Sequence, residues 1–376
     1  MRIRSLGPLS KALSLTVLPL MLASCGSNSP SMNNQSNNTC SGCSFVYATT
    51  NAGEILTFQA NSSGALGTPT IMQGAANSPY LAAPIGGSAV YASDFDNNVI
   101  DGFAVNETNG MLTAIMGSPF SLGASTGDPA GIANFGNCLY VGDTNGTVVA
   151  FNVSSDGGLT AAAGSPYSAG FAPVNLIAYN PGNFSVLYAA DFTGGGIWGF
   201  TIDSNCALTP VPGSPFATPA NSSPAAITVN WTTVYVALSG LNEIAAYSVN
   251  ESGALVPVPG SPFAAGRGPA SLLAYNTFLY ALNGLDHTIS AYSVDQSTGI
   301  LTEIGGSPFP AGTAFGGLIN GNGGVFYAPD SQANSILAFS VNASTGSLAP
   351  LSGSPFLISA EPEALTSVRL PILDPP

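Results

Sequence analysis

Short apolar runs alternate with polar turns along most of the chain after residue 42. The runs are four to eight residues long, rich in β-branched and aromatic side chains, and bounded by Gly, Asn, Asp or Pro. Pro269–Tyr275 (PASLLAY), Phe278–Ala281 (FLYA) and Thr288–Asp295 (TISAYSVD) are examples. This length and composition predict β-strands. Since no segment has helical periodicity, the chain is expected to be all-β.

A recurring tetrapeptide, GSPF, sets the period of this pattern. GSPF or GSPY stands at residues 117–120, 164–167, 213–216, 260–263, 306–309 and 353–356. A divergent copy of the motif, NSPY, stands at residues 77–80. From Ser118 onward the serines are 47, 49, 47, 46 and 47 residues apart, after a first step of 40. A fixed period in this range indicates one repeated supersecondary unit. Four strands in each of seven periods predict a seven-bladed β-propeller.

Each unit is expected to contain an inner, a second, a third and an outer strand, with GSPF ending the outer strand. Proline removes a donor from such an edge, and the aromatic residue after it is expected to pack between blades; a seven-fold aromatic binding motif is the alternative. The first unit begins at a second strand, Cys43–Ala48, whereas the final run, Pro362–Val368, has the inner-strand pattern. The C-terminal strand should therefore complete the first blade and close the ring.

The first 24 residues have the features of a targeting segment. Arg2, Arg4 and Lys11 accompany an apolar segment, Ala12–Leu22, which is too short to span a membrane as a helix. Leu22–Cys25 (LASC) resembles the lipobox of bacterial lipoproteins, which implies lipidation of Cys25; a plain secretory cleavage site is the alternative. In such lipoproteins, a residue other than aspartate after the lipidated cysteine favours export to the outer membrane. Since Gly26 stands at this position, the resemblance implies an outer-membrane lipoprotein that faces the periplasm or the cell surface.

These features divide the chain into four parts. Residues 1–24 are interpreted as a lipoprotein signal peptide, 25–42 as a lipidated Ser/Asn-rich tether, 43–370 as the propeller and 371–376 as a C-terminal tail. After Cys25 the chain has two basic and nineteen acidic residues, and hence a net charge of −17. This charge argues against nucleic-acid binding and against electrostatic attachment to anionic lipid. The lipid on Cys25 is therefore the expected membrane contact.

Four further cysteines follow the lipidation site. Cys40, Cys43, Cys138 and Cys206 could form two disulfides in an oxidising compartment, with three connectivities. Cys40–Cys43 with Cys138–Cys206 is the preferred pairing, because Cys138 begins a second strand and Cys206 precedes an outer strand of the next blade. A redox CxxC motif and a zinc site are disfavoured, since no βαβ pattern surrounds Cys40 and the chain has one histidine.

The loops after the second strands and before the inner strands are rich in acidic residues. They should emerge on one face of the ring, where Asp and Asn commonly stabilise tight turns. The alternative is an acidic rim that attracts a cation or a positively charged partner; calcium is conceivable, although no calcium-loop motif is present. The rim residues would be Asp94, Asp96, Asp128, Asp143, Asp191 and Asp330.

The repeat as a whole, for example residues 280–312 (YALNGLDHTISAYSVDQSTGILTEIGGSPFPAG), resembles the lactonase-type seven-bladed propellers. This family includes 6-phosphogluconolactonase and carboxymuconate cyclases, and the resemblance extends over about residues 43–370. It implies a lactone hydrolase or a cycloisomerase. A hydrolase needs a base and a group that stabilises the oxyanion; His287 with Asp286 could supply the first and Arg267 the second. In the alternative interpretation, His287 is an ordinary loop residue and Arg267 a rim charge.

The family's anionic substrates call for basic side chains around the pocket. After Cys25 the chain offers only Arg267, Arg369 and His287. The leading hypothesis is therefore a monomeric binding or scaffold module that uses its loop-rich face to contact a protein or a small-molecule ligand. A lactonase acting on a different lactone is the alternative, and neither hypothesis requires a cofactor.

Overall fold

The strands form seven antiparallel sheets arranged as the blades of a propeller. The computed structural model describes residues 44–370, except 75–76, 85–86, 124–125, 314–316 and 322. No helix among these residues has the length and hydrophobicity needed to cross a membrane. In chain order the strands are, in blade 1, β1 (Ser44–Thr50), β2 (Glu54–Ala60) and β3 (Thr70–Gln73); in blade 2, β4 (Leu81–Ala82), β5 (Ala89–Asp94), β6 (Val99–Val105), β7 (Leu112–Ala114) and β8 (Phe120–Ser121); in blade 3, β9 (Pro129–Phe135), β10 (Cys138–Asp143), β11 (Thr147–Val153), β12 (Leu159–Ala161) and β13 (Tyr167–Ser168); in blade 4, β14 (Pro173–Tyr179), β15 (Ser185–Asp191), β16 (Gly196–Ile202), β17 (Leu208–Pro210) and β18 (Phe216–Ala217); in blade 5, β19 (Pro224–Asn230), β20 (Thr233–Leu238), β21 (Glu243–Val249), β22 (Leu255–Pro257) and β23 (Phe263–Ala264); in blade 6, β24 (Pro269–Tyr275), β25 (Phe278–Asn283), β26 (Thr288–Val294), β27 (Leu301–Glu303) and β28 (Phe309–Pro310); in blade 7, β29 (Ile319–Asn320), β30 (Val325–Asp330), β31 (Ser335–Val341), β32 (Leu348–Pro350) and β33 (Phe356–Leu357); and finally β34 (Pro362–Arg369).

The C-terminal strand closes the ring, as the sequence predicts. β34 is the inner strand of blade 1 and pairs antiparallel with β1, from Ser44 opposite Arg369 to Thr50 opposite Pro362. The sheet order of this blade is β3-β2-β1-β34. The first and last strands of the propeller therefore belong to one sheet.

A buried tyrosine in each second strand joins its blade to the next one. The hydroxyl of Tyr280 in blade 6 donates to the carbonyl of Gly346 in blade 7 at 2.8 Å. Tyr327 of blade 7 completes the circle by donating to the carbonyl of Gly64 in blade 1 at 2.6 Å. The acceptor lies in the turn between a third and an outer strand, where Gly346 has a φ of +74°. The equivalent donors in the other blades are Tyr47, Tyr91, Tyr140, Tyr188 and Tyr235.

A disulfide reinforces one of these tyrosine contacts. In blade 4 the acceptor position is occupied by Cys206, which has a φ of +65° where the other blades have glycine. Cys206 is bonded to Cys138, 68 residues earlier and two residues before Tyr140 in β10. This is the pairing preferred from the sequence, and it links blade 3 covalently to blade 4. Cys40 and Cys43 lie outside the described residues.

The GSPF motif divides the outer strand, and the prediction that it ends this strand is wrong. In blade 6, β27 pairs with one end of β26 and β28 with the other. Between them the Ser307 hydroxyl accepts a hydrogen bond from the N–H of Ala291 at 3.0 Å. The serine thus satisfies a donor that the interruption would otherwise leave unpaired. Each Ser–Pro bond of the six motifs is cis, and the equivalent serines make the same bond: Ser118, Ser165, Ser214, Ser261 and Ser354.

The aromatic residue of the motif packs between blades, as predicted. Phe309 of blade 6 contacts the buried cluster that contains Tyr280 of the same blade and Phe326 of blade 7. Phe120 does the same between blades 2 and 3. These contacts assign the recurring aromatic residue to the core and not to a repeated binding motif.

NSPY at residues 77–80 is not a seventh copy of the motif. It leads into β4, the inner strand of blade 2, where the N–H of Ser93 donates to the carbonyl of Tyr80 at 3.0 Å. The outer strand of blade 1, β3, instead pairs without a Ser-Pro interruption from Thr57 opposite Thr70 to Glu54 opposite Gln73. The short first step of 40 residues was the signal in the sequence that this copy differs.

Candidate functional site

One face of the propeller, which we call the loop face, carries two kinds of loop. They are the loops between second and third strands and the loops from each outer strand to the next inner strand. The two kinds are joined by backbone hydrogen bonds; in blade 6, the N–H of Gly284 donates to the carbonyl of Gly268 at 2.9 Å. The opposite face, which we call the hairpin face, carries the turns between inner and second strands and those between third and outer strands. All residues proposed for the acidic rim and the catalytic trio lie on the loop face.

Four of the six proposed rim aspartates are buried, which agrees with the interpretation that they stabilise tight turns and not with the alternative of an acidic rim. Each is the last residue of a second strand. The carboxylate of Asp191 accepts hydrogen bonds from the N–H groups of Phe171 and Ala172, at 3.1 and 2.9 Å, in the incoming loop. A third donor, the N–H of Gly194 in its own loop, lies at 2.9 Å. These carboxylates hold loops together and do not present charge to solvent. The four are Asp94, Asp143, Asp191 and Asp330.

The two remaining rim residues lie nearer the surface. Asp96 is exposed, and its carboxylate accepts a hydrogen bond from the side-chain amide of Asn77 at 3.0 Å. Asp128 is half-buried. Within the described ranges, no three His, Cys, Asp or Glu side chains are grouped to hold a metal ion.

Blade 2 holds a second buried carboxylate beside Asp94. Asp101 lies diagonally opposite Asp94 on the same side of the β5–β6 hairpin, since the register pairs Asp94 with Val99. Burial and the charge of Asp94 raise the pKa of Asp101 to about 6. Its Oδ2 has no hydrogen-bond partner among the described residues. Sequence reasoning missed this residue, although an aspartate inside an otherwise apolar strand was a visible signal.

In blade 6, Asp286 is paired with Arg267 and not with the imidazole of His287. The Arg267 Nε donates to Asp286 Oδ1 at 2.6 Å, and the Arg267 backbone N–H donates to Oδ2 at 2.7 Å. These hydrogen bonds hold the pKa of Asp286 below its ordinary value. The Arg267 side chain is exposed, so solvent screens the ion pair. The carboxylate that was expected to orient a base therefore orients the arginine.

His287 occupies a turn position and its side chain is exposed. Its φ is +57°, and its backbone N–H donates to the carbonyl of Asn283 at 2.8 Å. Neither ring nitrogen has a hydrogen-bond partner within the described part of the chain. A base oriented for catalysis needs such a partner in the productive complex. The equivalent turn positions of the other blades, all with positive φ, are Gly53, Asn98, Gly146, Gly195, Asn242 and Asn334.

The loop face also exposes large apolar side chains, which sequence reasoning did not single out. Phe171 and Phe192 are 69% and 42% exposed, and Leu285 is 64% exposed. Phe171 lies over the loop that carries Phe192, because a Cβ added to Gly194 would be 3.0 Å from its ring. The signal in the sequence was a phenylalanine within the glycine-rich segments on either side of β14 and β15.

The clefts formed by the described residues include two on the hairpin face. One, of about 200 Å³, lies between blades 7 and 1 and is lined in part by Ser44, Tyr327 and Arg369. The other is a shallow cleft, widely open to solvent, of about 270 Å³ between blades 5 and 6, and it is lined by Val229, Asn230, Trp231, Ala274 and Asn276. Arg369 is therefore far along the blade from the loop face, since it ends β34 beside the start of β1.

Known structures share this architecture. A candidate 6-phosphogluconolactonase from Bacteroides fragilis superimposes with a TM-score of 0.73 at 20% identity, covering 89% of this chain and 100% of that one. A periplasmic gluconolactonase from Pseudomonas aeruginosa, PpgL, gives a TM-score of 0.74 at 16% identity, with coverage of 88% and 100%. At such identities the similarity shows the fold alone. No curated protein matches the chain.

The family profile described as "Lactonase, 7-bladed beta-propeller" matches residues 118–357. The matched segment begins at the GSPF motif of blade 2 and ends in the last strand of blade 7. It therefore includes blades 3 to 7 and well over half of the 376 residues. The chain belongs to the lactonase family of seven-bladed β-propellers.

Proposed function

We propose that the protein is a lipid-anchored extracytoplasmic propeller that binds a partner through its loop face. The observation that carries this proposal is the exposure of Phe171, Phe192 and Leu285 on that face. Single exposed apolar residues are ordinary, but neighbouring aromatic residues on one face are typical of interaction sites. The loops that carry Phe171 and Phe192 are held by the buried carboxylate of Asp191, so these two side chains are presented by a rigid support.

The charge of the chain restricts the partner. Exposed carboxylates, including Asp96 and Glu361, lie on the loop face, and Arg267 is neutralised by Asp286. A partner with an apolar surface flanked by basic groups would complement this face. Electrostatic attraction would then accelerate association, and added salt would slow it.

The membrane assignment depends on Cys25, which lies outside the described residues. Lipidation would place the propeller at the outer membrane, on a tether formed by residues 25–42. Replacing Cys25 by Ala should release the protein from the membrane fraction into the soluble fraction. Continued recovery in washed membranes would contradict lipid anchoring through this residue.

The binding proposal is tested by cross-linking in intact cells. Phe171→Ser with Phe192→Ser should reduce the cross-linked complex about tenfold, because two apolar anchors are lost. Met111→Ser with Ile300→Ser is the matched control, since these residues are exposed in turns of the hairpin face. The melting temperatures of both variants must equal that of the wild type. If the cross-linked complex decreases equally in both variants, or decreases in neither, the partner does not bind through the loop face.

Lactone hydrolysis is a second candidate, favoured by membership of the lactonase family. His287 would serve as the base and Arg267 would leave Asp286 to stabilise the oxyanion. The test is a screen of neutral and anionic lactones, followed by His287→Ala and Arg267→Ala in any reaction that is detected. Turnover that both variants retain would reject these residues. A ligand that stabilises the fold without turnover would favour binding.

A further inference from the structure

Trp231 adopts a backbone conformation that its side chain disfavours. It is the first residue of the two-residue turn between β19 and β20, where Asn230 pairs with Thr233, and its φ is +56°. Blades 3 and 6 have turns of the same length, in which Gly136 and Asn276 occupy this position with φ of +56° and +50°. Glycine and asparagine tolerate this region, whereas a bulky aromatic residue is strained there. The fold therefore does not require tryptophan in this turn.

Packing does not explain the tryptophan either. Its side chain is 67% exposed, so most of the indole contacts solvent. A strained residue whose side chain is not used by the core is a reason to look for a functional role. The indole borders the cleft of about 270 Å³ between blades 5 and 6. Trp231 is therefore strained, exposed to solvent and located at a cleft.

The chemistry of the cleft limits what it could bind. Its lining residues are Val229, Asn230, Trp231, Ala274 and Asn276, none of which is charged. Asn276 is exposed, and its amide can donate and accept hydrogen bonds at once. Buried Asn230 forms the inner wall, where its amide donates to the carbonyls of Asn276 and Phe278 at 3.1 and 3.2 Å. The cleft therefore combines an exposed tryptophan with one amide that is held by hydrogen bonds, Asn230, and one that is exposed to solvent, Asn276.

We propose that this cleft is a binding site for a neutral carbohydrate. The C–H groups on one side of a sugar ring would lie against the electron-rich face of the Trp231 indole. Hydroxyl groups at the ring edge would exchange hydrogen bonds with the Asn276 amide. Arg and Lys, which favour phosphate or carboxylate ligands, are absent from this lining; Arg369 lies in the cleft between blades 7 and 1, two blade interfaces away. This site is separate from the loop face and independent of the function proposed for it.

The two tryptophans of the chain allow a direct measurement. Trp198 is half-buried and packs against the core between blades 3 and 4, so Trp198→Phe leaves Trp231 as the reporter. This variant is titrated with cellotetraose, xylotetraose, maltotetraose and tetra-N-acetylchitotetraose while the emission maximum is followed. We expect at least one oligosaccharide to produce a saturable blue shift, with a Kd below about 1 mM.

Trp231→Asn is the decisive variant, because it restores the residue that blade 6 has in the same turn. In a calorimetric titration, this variant should bind the oligosaccharide at least tenfold more weakly than the wild type. Its melting temperature should be about 2 °C higher, because the backbone strain at residue 231 is removed. Asn276→Asp is the second variant: it keeps Trp231 and the turn but adds a charge, and it should weaken binding about tenfold. Asn137→Asp, in the corresponding turn of blade 3, is the matched control and should bind normally.

Three results would overturn the proposal. The first is the absence of a saturable response to all four oligosaccharides in the Trp198→Phe protein. The second is full affinity in Trp231→Asn, whatever the affinity of Asn276→Asp. The third is a blue shift with vesicles of phosphatidylcholine and phosphatidylglycerol but not with sugars, which would assign Trp231 to a membrane surface.

Discussion

The Cys138–Cys206 disulfide allows a quantitative test of how neighbouring blades are held together. It closes a segment with a sequence separation of 68 and lies at the tyrosine contact between blades 3 and 4. The other six contacts use glycine where blade 4 has Cys206, so one substitution can restore the common arrangement. We therefore compare the wild type with Cys138→Ala/Cys206→Gly and with Cys138→Ala/Cys206→Ala.

The expected magnitudes follow from chain entropy and backbone strain. Closing a loop of this length reduces the entropy of the unfolded chain by an amount equivalent to about 4 kcal/mol of stability at 25 °C. Cys206 has a φ of +65°, and glycine removes about 1 kcal/mol of strain there. The free energy of unfolding should therefore fall by about 3 kcal/mol in the glycine variant and by about 4 kcal/mol in the alanine variant. The larger loss corresponds to about 6 °C in melting temperature for a chain of this size.

Urea unfolding at neutral pH, with and without reducing agent, measures these differences. Reduction should destabilise the wild type by an amount similar to the double substitutions and should leave the two variants nearly unchanged. An unchanged unfolding midpoint in both variants would refute the claim that this bond stabilises the ring. Equal stability of the glycine and alanine variants would refute the strain assigned to residue 206.

Three other predictions concern ring closure, the tyrosine contacts and the buried aspartate. Deleting residues 362–376 removes β34 from blade 1 and should abolish cooperative thermal unfolding, as followed by near-ultraviolet circular dichroism; an unchanged transition would contradict closure by this strand. Tyr280→Phe removes a buried hydrogen bond of 2.8 Å and should lower the free energy of unfolding in urea by about 1–2 kcal/mol, whereas Tyr167→Phe, at an exposed hydroxyl, should change it by less than about 0.5 kcal/mol. Because the pKa of Asp101 is raised to about 6, its protonated form stabilises the fold below about pH 4, and this contribution is lost as the pH rises through 6. Asp101→Asn should therefore be more stable than the wild type at pH 7 by about 3 kcal/mol and should lack this pH dependence; equal stability at pH 7 would show that the carboxylate is well solvated.

The role of the GSPF motif shows where sequence patterns are sufficient and where they are not. Its spacing predicts the number and kind of blades, because strand propensity and turn residues are local properties that repeat with the chain. The division of the outer strand depends on the bond from Ala291 to Ser307, which joins different strands. NSPY has a similar sequence but lies in a different part of the propeller. Residue types alone therefore do not specify which strand a segment pairs with.

The candidate site was predicted less well than the fold. The sequence places Arg267, Asp286 and His287 on one face, which the structure confirms. It could not decide which side chain Asp286 contacts, because that choice depends on how two loops approach each other. Likewise, turn propensity explains an aspartate at residue 191. Only the structure shows that its carboxylate accepts three backbone N–H hydrogen bonds within the loops and is not available to a ligand.

The sequence by itself determined the β-strands, the seven-fold repeat, the closure of the ring by its last strand and the acidic charge of the chain, because these properties depend on local composition and on periodicity. Only the tertiary structure decided which carboxylates are buried, which apolar side chains remain exposed and that Trp231 borders a cleft. Those properties depend on contacts between blades, and residues separated by one repeat or more meet there only when the ring has formed.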